Sequence, residues 1–135
     1  MSKERTSISF LKYDDNFKTY KAGEQIFKEN DPGMFMYVVK SGTVELRREG
    51  VLLETLEAGH IFGEMALIEH DKRSATARAA TDCEVVAVDE EKFTFMVRQS
   101  PYFALDVLRV MARRLRHTTE EVAHVSHMSG VIKVV

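Results

Sequence analysis

A chain of 135 residues, 44% hydrophobic and 30% charged, has the size for one domain with its own core and the balance of a globular protein, which excludes a disordered or fibrous class. Its formal net charge of −2 supplies no general field for nucleic acid or an anionic membrane, so any anion site has to be built locally. The single cysteine, Cys83, excludes an internal disulfide or a multi-cysteine metal or iron–sulfur cluster from this chain alone, and suits a reducing compartment.

Residues Met1 to Ser9 are polar and lack an apolar signal core. No later apolar run approaches the ~20 residues of a membrane span, and the expectation is a cytoplasmic chain without membrane attachment. Six of the seven glycines lie between Gly23 and Gly63, and none falls from Glu64 to Ser129, so turns belong to the first part and helices to the last. From Phe17 to Asp89 the apolar residues come in short runs rich in β-branched and aromatic types: Met36-Tyr37-Val38-Val39, Thr43-Val44-Glu45-Leu46 and Glu84-Val85-Val86-Ala87-Val88. Turn signals separate them at Asn30-Asp31-Pro32-Gly33, Lys40-Ser41-Gly42, Glu49-Gly50 and Glu57-Ala58-Gly59. The pattern predicts a mainly β fold, an antiparallel β-roll or jelly-roll-like barrel over about residues 17–89, followed by C-terminal helices over about 90–128. All of residues 1–135 are assigned to this one domain.

After Asp89 the spacing becomes helical. Phe93, Met96 and Val97 form one apolar stripe, Ser100-Pro101 breaks the run, and Pro101 suits the first turn of a new helix. In that helix Ala104, Leu108, Met111, Leu115, Thr118, Val122 and Val125 advance in steps of four and three, the seam of a heptad pattern. A second set, Phe103, Leu105, Val107 and Val110, is expected to cover the roll, leaving the seam for a symmetry mate in a homodimer through residues 101–128. The alternative is one broad face packed on the same subunit.

The segment richest in chemistry is Gly59-His60-Ile61-Phe62-Gly63-Glu64-Met65-Ala66-Leu67, followed after a polar loop by Arg73-Ser74-Ala75-Thr76. Gly63 permits a tight turn and a close approach to a ligand, and Glu64 to Leu67 can form a helical turn with free N–H groups. Arg73 offers a planar cationic fork for phosphate oxygens, and Ser74 adds donors. Glu64 would repel a phosphate unless its carboxylate accepts hydrogen bonds from a sugar hydroxyl of the same ligand. The competing structural reading is a buried Glu64–Arg73 ion pair that only fixes the loop.

Phe62-Gly63-Glu64-Met65-Ala66-Leu67 with Arg73-Ser74-Ala75-Thr76 resembles the phosphate-binding cassette of the cyclic-nucleotide-binding domains, as found in the cAMP receptor protein, kinase regulatory subunits and cyclic-nucleotide-gated channels. Gly23-Glu24-Gln25-Ile26-Phe27, Met36-Tyr37-Val38-Val39 with Ser41-Gly42, and Leu56 with Gly59 extend the likeness over about residues 17–125. The resemblance implies that Glu64 binds the ribose 2′-hydroxyl, that Arg73 and Ser74 bind the cyclic phosphate, and that Phe62, Gly63, Met65, Ala66 and Ala75 belong to the ligand-binding cassette. Met111-Ala112-Arg113-Arg114-Leu115 through Thr118-Thr119-Glu120 is similar to the dimer helix of the bacterial receptor, which implies that Thr118 and Thr119 reach the base, one of them from the partner subunit. Serine after Arg73 resembles the cAMP-selective bacterial members, so cAMP is favoured over cGMP. The chain ends before a helix-turn-helix domain could be built, and direct DNA binding is not expected.

Two other classes stay open. A nucleotide-independent dimerisation or docking scaffold would carry the cassette as a vestige. A cupin-like metal-binding barrel would start from His60 and Glu64, four residues apart, but His70, His117, His124 and His127 do not group with His60 in sequence. No nucleophile–base arrangement points to an enzyme, no cofactor or catalytic metal is implied, and the downstream protein partner is unspecified.

Overall fold

The computed structural model describes the backbone of residues 16–129 and the side chains of residues 16–116. Its elements are β1 (Phe17–Tyr20), β2 (Gln25–Phe27), β3 (Met36–Ser41), β4 (Val44–Arg48), β5 (Val51–Leu56), β6 (Ile61–Phe62), α1 (Glu64–Glu69), β7 (Thr76–Ala79), β8 (Cys83–Val88), α2 (Glu90–Gln99) and α3 (Pro101–Ser129). The strands make two antiparallel four-stranded sheets in the orders β1-β8-β3-β6 and β2-β7-β4-β5, the expected β-roll with a short cassette helix and C-terminal helices. Glu49 and Gly50 link β4 to β5 with φ of 50° and 81°, the pair of positive values that two-residue hairpin turns require.

Two apolar clusters hold the molecule together. Val39, Val44, Leu56, Phe62, Ala77, Ala79, Cys83 and Val85 fill the interior between the sheets. Met36, Val38, Ile61, Leu67, Val86 and Val88 join the roll to Met96 of α2 and to Phe103, Val107 and Val110 of α3. The alternation along β8, where Val85 serves one cluster and Val86 the other, is the period-two geometry of a strand buried on both faces. Asp89 caps α2 by accepting from the Lys92 N–H at 2.8 Å, and Phe93 and Val97 pack on the core as the stripe predicts.

Leu105 departs from expectation. It is 43% exposed, because two residues along a helix turn it by about 200° from both Phe103 and Val107. The roll-facing set is Phe103, Asp106, Val107 and Val110. Of the seam, Leu108 and Leu115 stand exposed while Met111 packs partly on the core. Val51, Leu52 and Leu53 are exposed along the edge strand β5. Among the described residues no helix is long and apolar enough to cross a membrane.

Candidate functional site

The cassette is assembled from the β6–α1 corner and the loop that leads into β7. Gly63 begins α1 in the left-handed region, φ 75°, with no side-chain cap, a conformation that a β-carbon disfavours. At the far end His70, also left-handed at φ 57°, donates its N–H to the Ala66 carbonyl at 2.8 Å. The return loop is pinned by the turn after β2: the Arg73 N–H reaches the Asp31 carbonyl at 2.8 Å, and the Asn30 N–H reaches the Arg73 carbonyl at 2.9 Å. Arg48 of β4 adds a bond from Nε to the Ser74 carbonyl at 2.9 Å.

This scaffold sends the Arg73 side chain inward, where it is only 4% exposed. Nη1 donates to the Gly63 carbonyl at 3.0 Å, and Cζ lies 4.1 Å above the Phe27 ring and 5.6 Å from that of Tyr37. Nε is buried without a hydrogen-bond partner. Burial holds the guanidinium below its ordinary pKa, although Tyr37, Asp31 and Glu64 pull the other way. Gly33 makes room for it, since a β-carbon there would sit 2.4 Å from Nε and 2.9 Å from the Ala66 β-carbon.

Glu64 is as deeply buried, at 2% exposure, but its company differs. Both carboxylate oxygens accept from Arg114 Nη1 at 2.6 Å. Arg114 also donates Nη2 to the Ile61 carbonyl at 2.8 Å and Nε to Glu54 at 3.0 Å, so one guanidinium ties β5, β6 and α1 to α3. Burial opposes its charge, yet Glu64 and Glu54 outweigh that cost and leave its pKa raised. Glu64 therefore pairs with Arg114, 50 residues away, and the buried Glu64–Arg73 pair is not formed.

The remaining sequence candidates divide by position. Ala66 lies against Gly33 beside Arg73, Ala75 is buried, and Ser74 is exposed at the mouth of the loop. Phe62 belongs to the roll interior and stacks on Tyr37 at 5.2 Å, while Met65 points outward at 41% exposure. Thr118 and Thr119 fall on α3, and their side chains lie outside the described residues. His60 Nδ1 accepts from the Glu57 N–H at 3.1 Å, so His60 and Glu64 make separate bonds. Among the described residues no group of three His, Cys, Asp or Glu side chains could hold a metal ion.

Sequence reading missed Arg114, Phe27, Tyr37 and Gly33 as site residues. Chemically, the arrangement is a buried cation with an unmet donor, followed in sequence by an exposed serine and one helix corner away from a carboxylate. Such a buried donor gains most from an anion that replaces the water it has lost.

Comparison with known proteins identifies the family. Residues 17–100 match the family described as cyclic nucleotide-binding domain. The cyclic AMP receptor protein of Thermus thermophilus is 36% identical over 109 residues, 77% of this chain and 50% of that protein. Isozyme 2 of the Drosophila melanogaster cGMP-dependent protein kinase is 37% identical over 89 residues, 62% of this chain and 8% of the kinase. The crystal structure of the Thermus thermophilus catabolite activator protein superposes with a TM-score of 0.76 at 32% identity, covering 90% of this chain and 59% of that one. The chain thus spans half or less of the length of these two curated relatives.

Proposed function

This chain belongs to the cyclic nucleotide-binding domain family, and from that membership we propose that it is a regulatory sensor module that binds cAMP in preference to cGMP and signals through α3. The observation that carries the reading is the buried Arg73 guanidinium with its unpartnered Nε. A cyclic phosphate meets that donor and neutralises the charge, with the exposed Ser74 supplying a further hydroxyl and Gly63 and Ala66 lining the approach. Phe62, Met65 and Ala75 take part through the backbone they fix, since their side chains lie in the core, in solvent and beneath the loop.

Glu64 receives the ribose 2′-hydroxyl. Its carboxylate has lone pairs beyond those that Arg114 uses, so sugar and arginine can share it. Arg114 stands on α3 four residues, about one turn, before Thr118. Ligand at Glu64 therefore acts on the helix that also carries Thr118 and Thr119, the residues assigned to the base. The exposed Leu108 and Leu115 support a homodimer along α3. A nucleotide shifts this output only by its difference in affinity between two helix arrangements. The cAMP preference rests on Ser74 following Arg73 and on the likeness to a receptor named for cyclic AMP, against a likeness to a kinase named for cGMP.

Isothermal titration of the purified chain with cAMP, cGMP and 5′-AMP tests this reading. Saturable binding of cAMP, weaker binding of cGMP and none of 5′-AMP is the expected result. Failure of every cyclic nucleotide to bind would overturn it in favour of a nucleotide-independent scaffold.

A further inference from the structure

The side chains that hold Arg73 are arranged with more order than a hydrophobic core needs. Phe27, Tyr37 and Phe62 form a triangle of rings with centroids 5.8, 5.9 and 5.2 Å apart. Phe62 is wholly buried and anchors the triangle, while Phe27 and Tyr37 are half-buried. Tyr37 is further fixed by sheet register, lying between Phe62 of β6 and Ala87 of β8. The guanidinium carbon of Arg73, and not merely its aliphatic stem, lies 4.1 Å over the Phe27 ring, within the range of a cation–π contact. The edge of the same fork is closed by Gly33, where a β-carbon would come within 2.4 Å of Nε, and one terminal nitrogen is tied to the Gly63 carbonyl.

We propose that Phe27 and Tyr37 are positioning residues of the nucleotide site: their rings set the plane of the Arg73 guanidinium, and so decide which exocyclic phosphate oxygen the fork meets. This rests on the cyclic-nucleotide reading above. A planar fork carries directional information only while its plane is fixed, and the Phe27 ring face, 4.1 Å from the guanidinium carbon, is what fixes it. Because Phe27 acts through the guanidinium it touches, its effect is on geometry at one phosphate oxygen rather than on general affinity.

The test uses the two phosphorothioate diastereomers of cAMP, in which sulfur replaces one or the other exocyclic oxygen, titrated against the full chain, Phe27→Leu and Tyr37→Leu, with thermal melts alongside. The full chain is expected to bind one diastereomer more tightly, and Phe27→Leu to shrink that ratio by about twofold to thirtyfold, the range spanned by loss of a cation–π contact. Should Phe27→Leu lose its cooperative melt, Tyr37→Leu is read in the same way. Equal weakening toward both diastereomers, with the ratio unchanged, would mean that the rings merely pack and would overturn the proposal. Absence of discrimination in the full chain would do the same, by showing that the fork is not held. If cAMP itself fails to bind the full chain, the sensor reading falls as well, a result distinct from the other two.

Discussion

Two charges buried within ten residues of each other are handled in opposite ways. Glu64 is paired with an arginine that also bonds Glu54 and a backbone carbonyl, whereas Arg73 rests on aromatic rings with one donor unmet. A closed network of this kind fixes elements relative to one another, and a cation short of partners waits for an anion. The cassette thus divides in two: Glu64 is tied to α3 through Arg114, and Arg73 keeps a donor unmet.

The sharpest way to break that comparison is Arg114→Met. Removing one partner of a buried pair costs about 3–5 kcal/mol, and because the Arg114 side chain retains 23% exposure the lower end, ~3 kcal/mol, is expected from urea denaturation. Adding Glu64→Gln to the same chain should recover part of the loss; no recovery would show that the buried charge of Glu64 is not what the pair offsets.

Arg73→Ala should act the other way round. Its urea midpoint should stay near the parent's, since the residue brings its own desolvation cost, while cAMP affinity falls about fiftyfold, ~2.3 kcal/mol, the scale of a hydrogen bond to a charged group. A variant that binds as the parent does would remove Arg73 from the site. Gly33→Ala is a milder perturbation of the same side chain: its β-carbon, 2.4 Å from Nε, displaces the guanidinium, and titration should show about a tenfold loss of affinity, a fraction of what one charged hydrogen bond supplies.

The smallest effect concerns an acid nearer the surface. Glu45 bonds to Arg47 at 3.1 Å and to Arg78 at 3.3 Å, and chiefly the Arg47 bond, helped by Arg78, holds its carboxyl below the usual range against an opposing effect of burial. Its contribution to stability is complete above the unfolded value of about 4.3 and disappears as pH falls through the depressed folded value. Melts from pH 6 down to pH 3 should show Glu45→Gln less acid-sensitive than the parent by a small margin.

What could be read in advance follows the distance over which each feature is encoded. The roll, the cassette order and the break at Ser100-Pro101 are local patterns, written in alternation, turn residues and helix breakers. Arg114 was not legible as the partner of Glu64, because it is one of three arginines in the stretch from Arg113 to Arg116 and only the placement of α3 against β5 and β6 selects it. Phe27 and Tyr37 looked like ordinary strand residues, since nothing local reveals that a cation will lie on them. Gly33 was read as a turn residue, whereas its lack of a side chain matters for Arg73, 40 positions later. Leu105 shows the converse error, a residue placed by its apolar character on a face that helical rotation denies it.

The pairing of β1 with β8, Phe17 opposite Val86 and Tyr20 opposite Cys83, has a consequence for how the protein is made. Among the described residues β1 borders only β8 in its sheet, so this strand of the roll has no neighbour until one of the last strands of the roll has emerged. Contacts of such long sequence separation fold slowly, and translation delivers roughly 5–20 residues each second. The cassette lies inside that closing span, so the nascent chain acquires its receptor only after residue 88 has cleared the exit tunnel, and nucleotide present at that moment favours the closed roll by mass action.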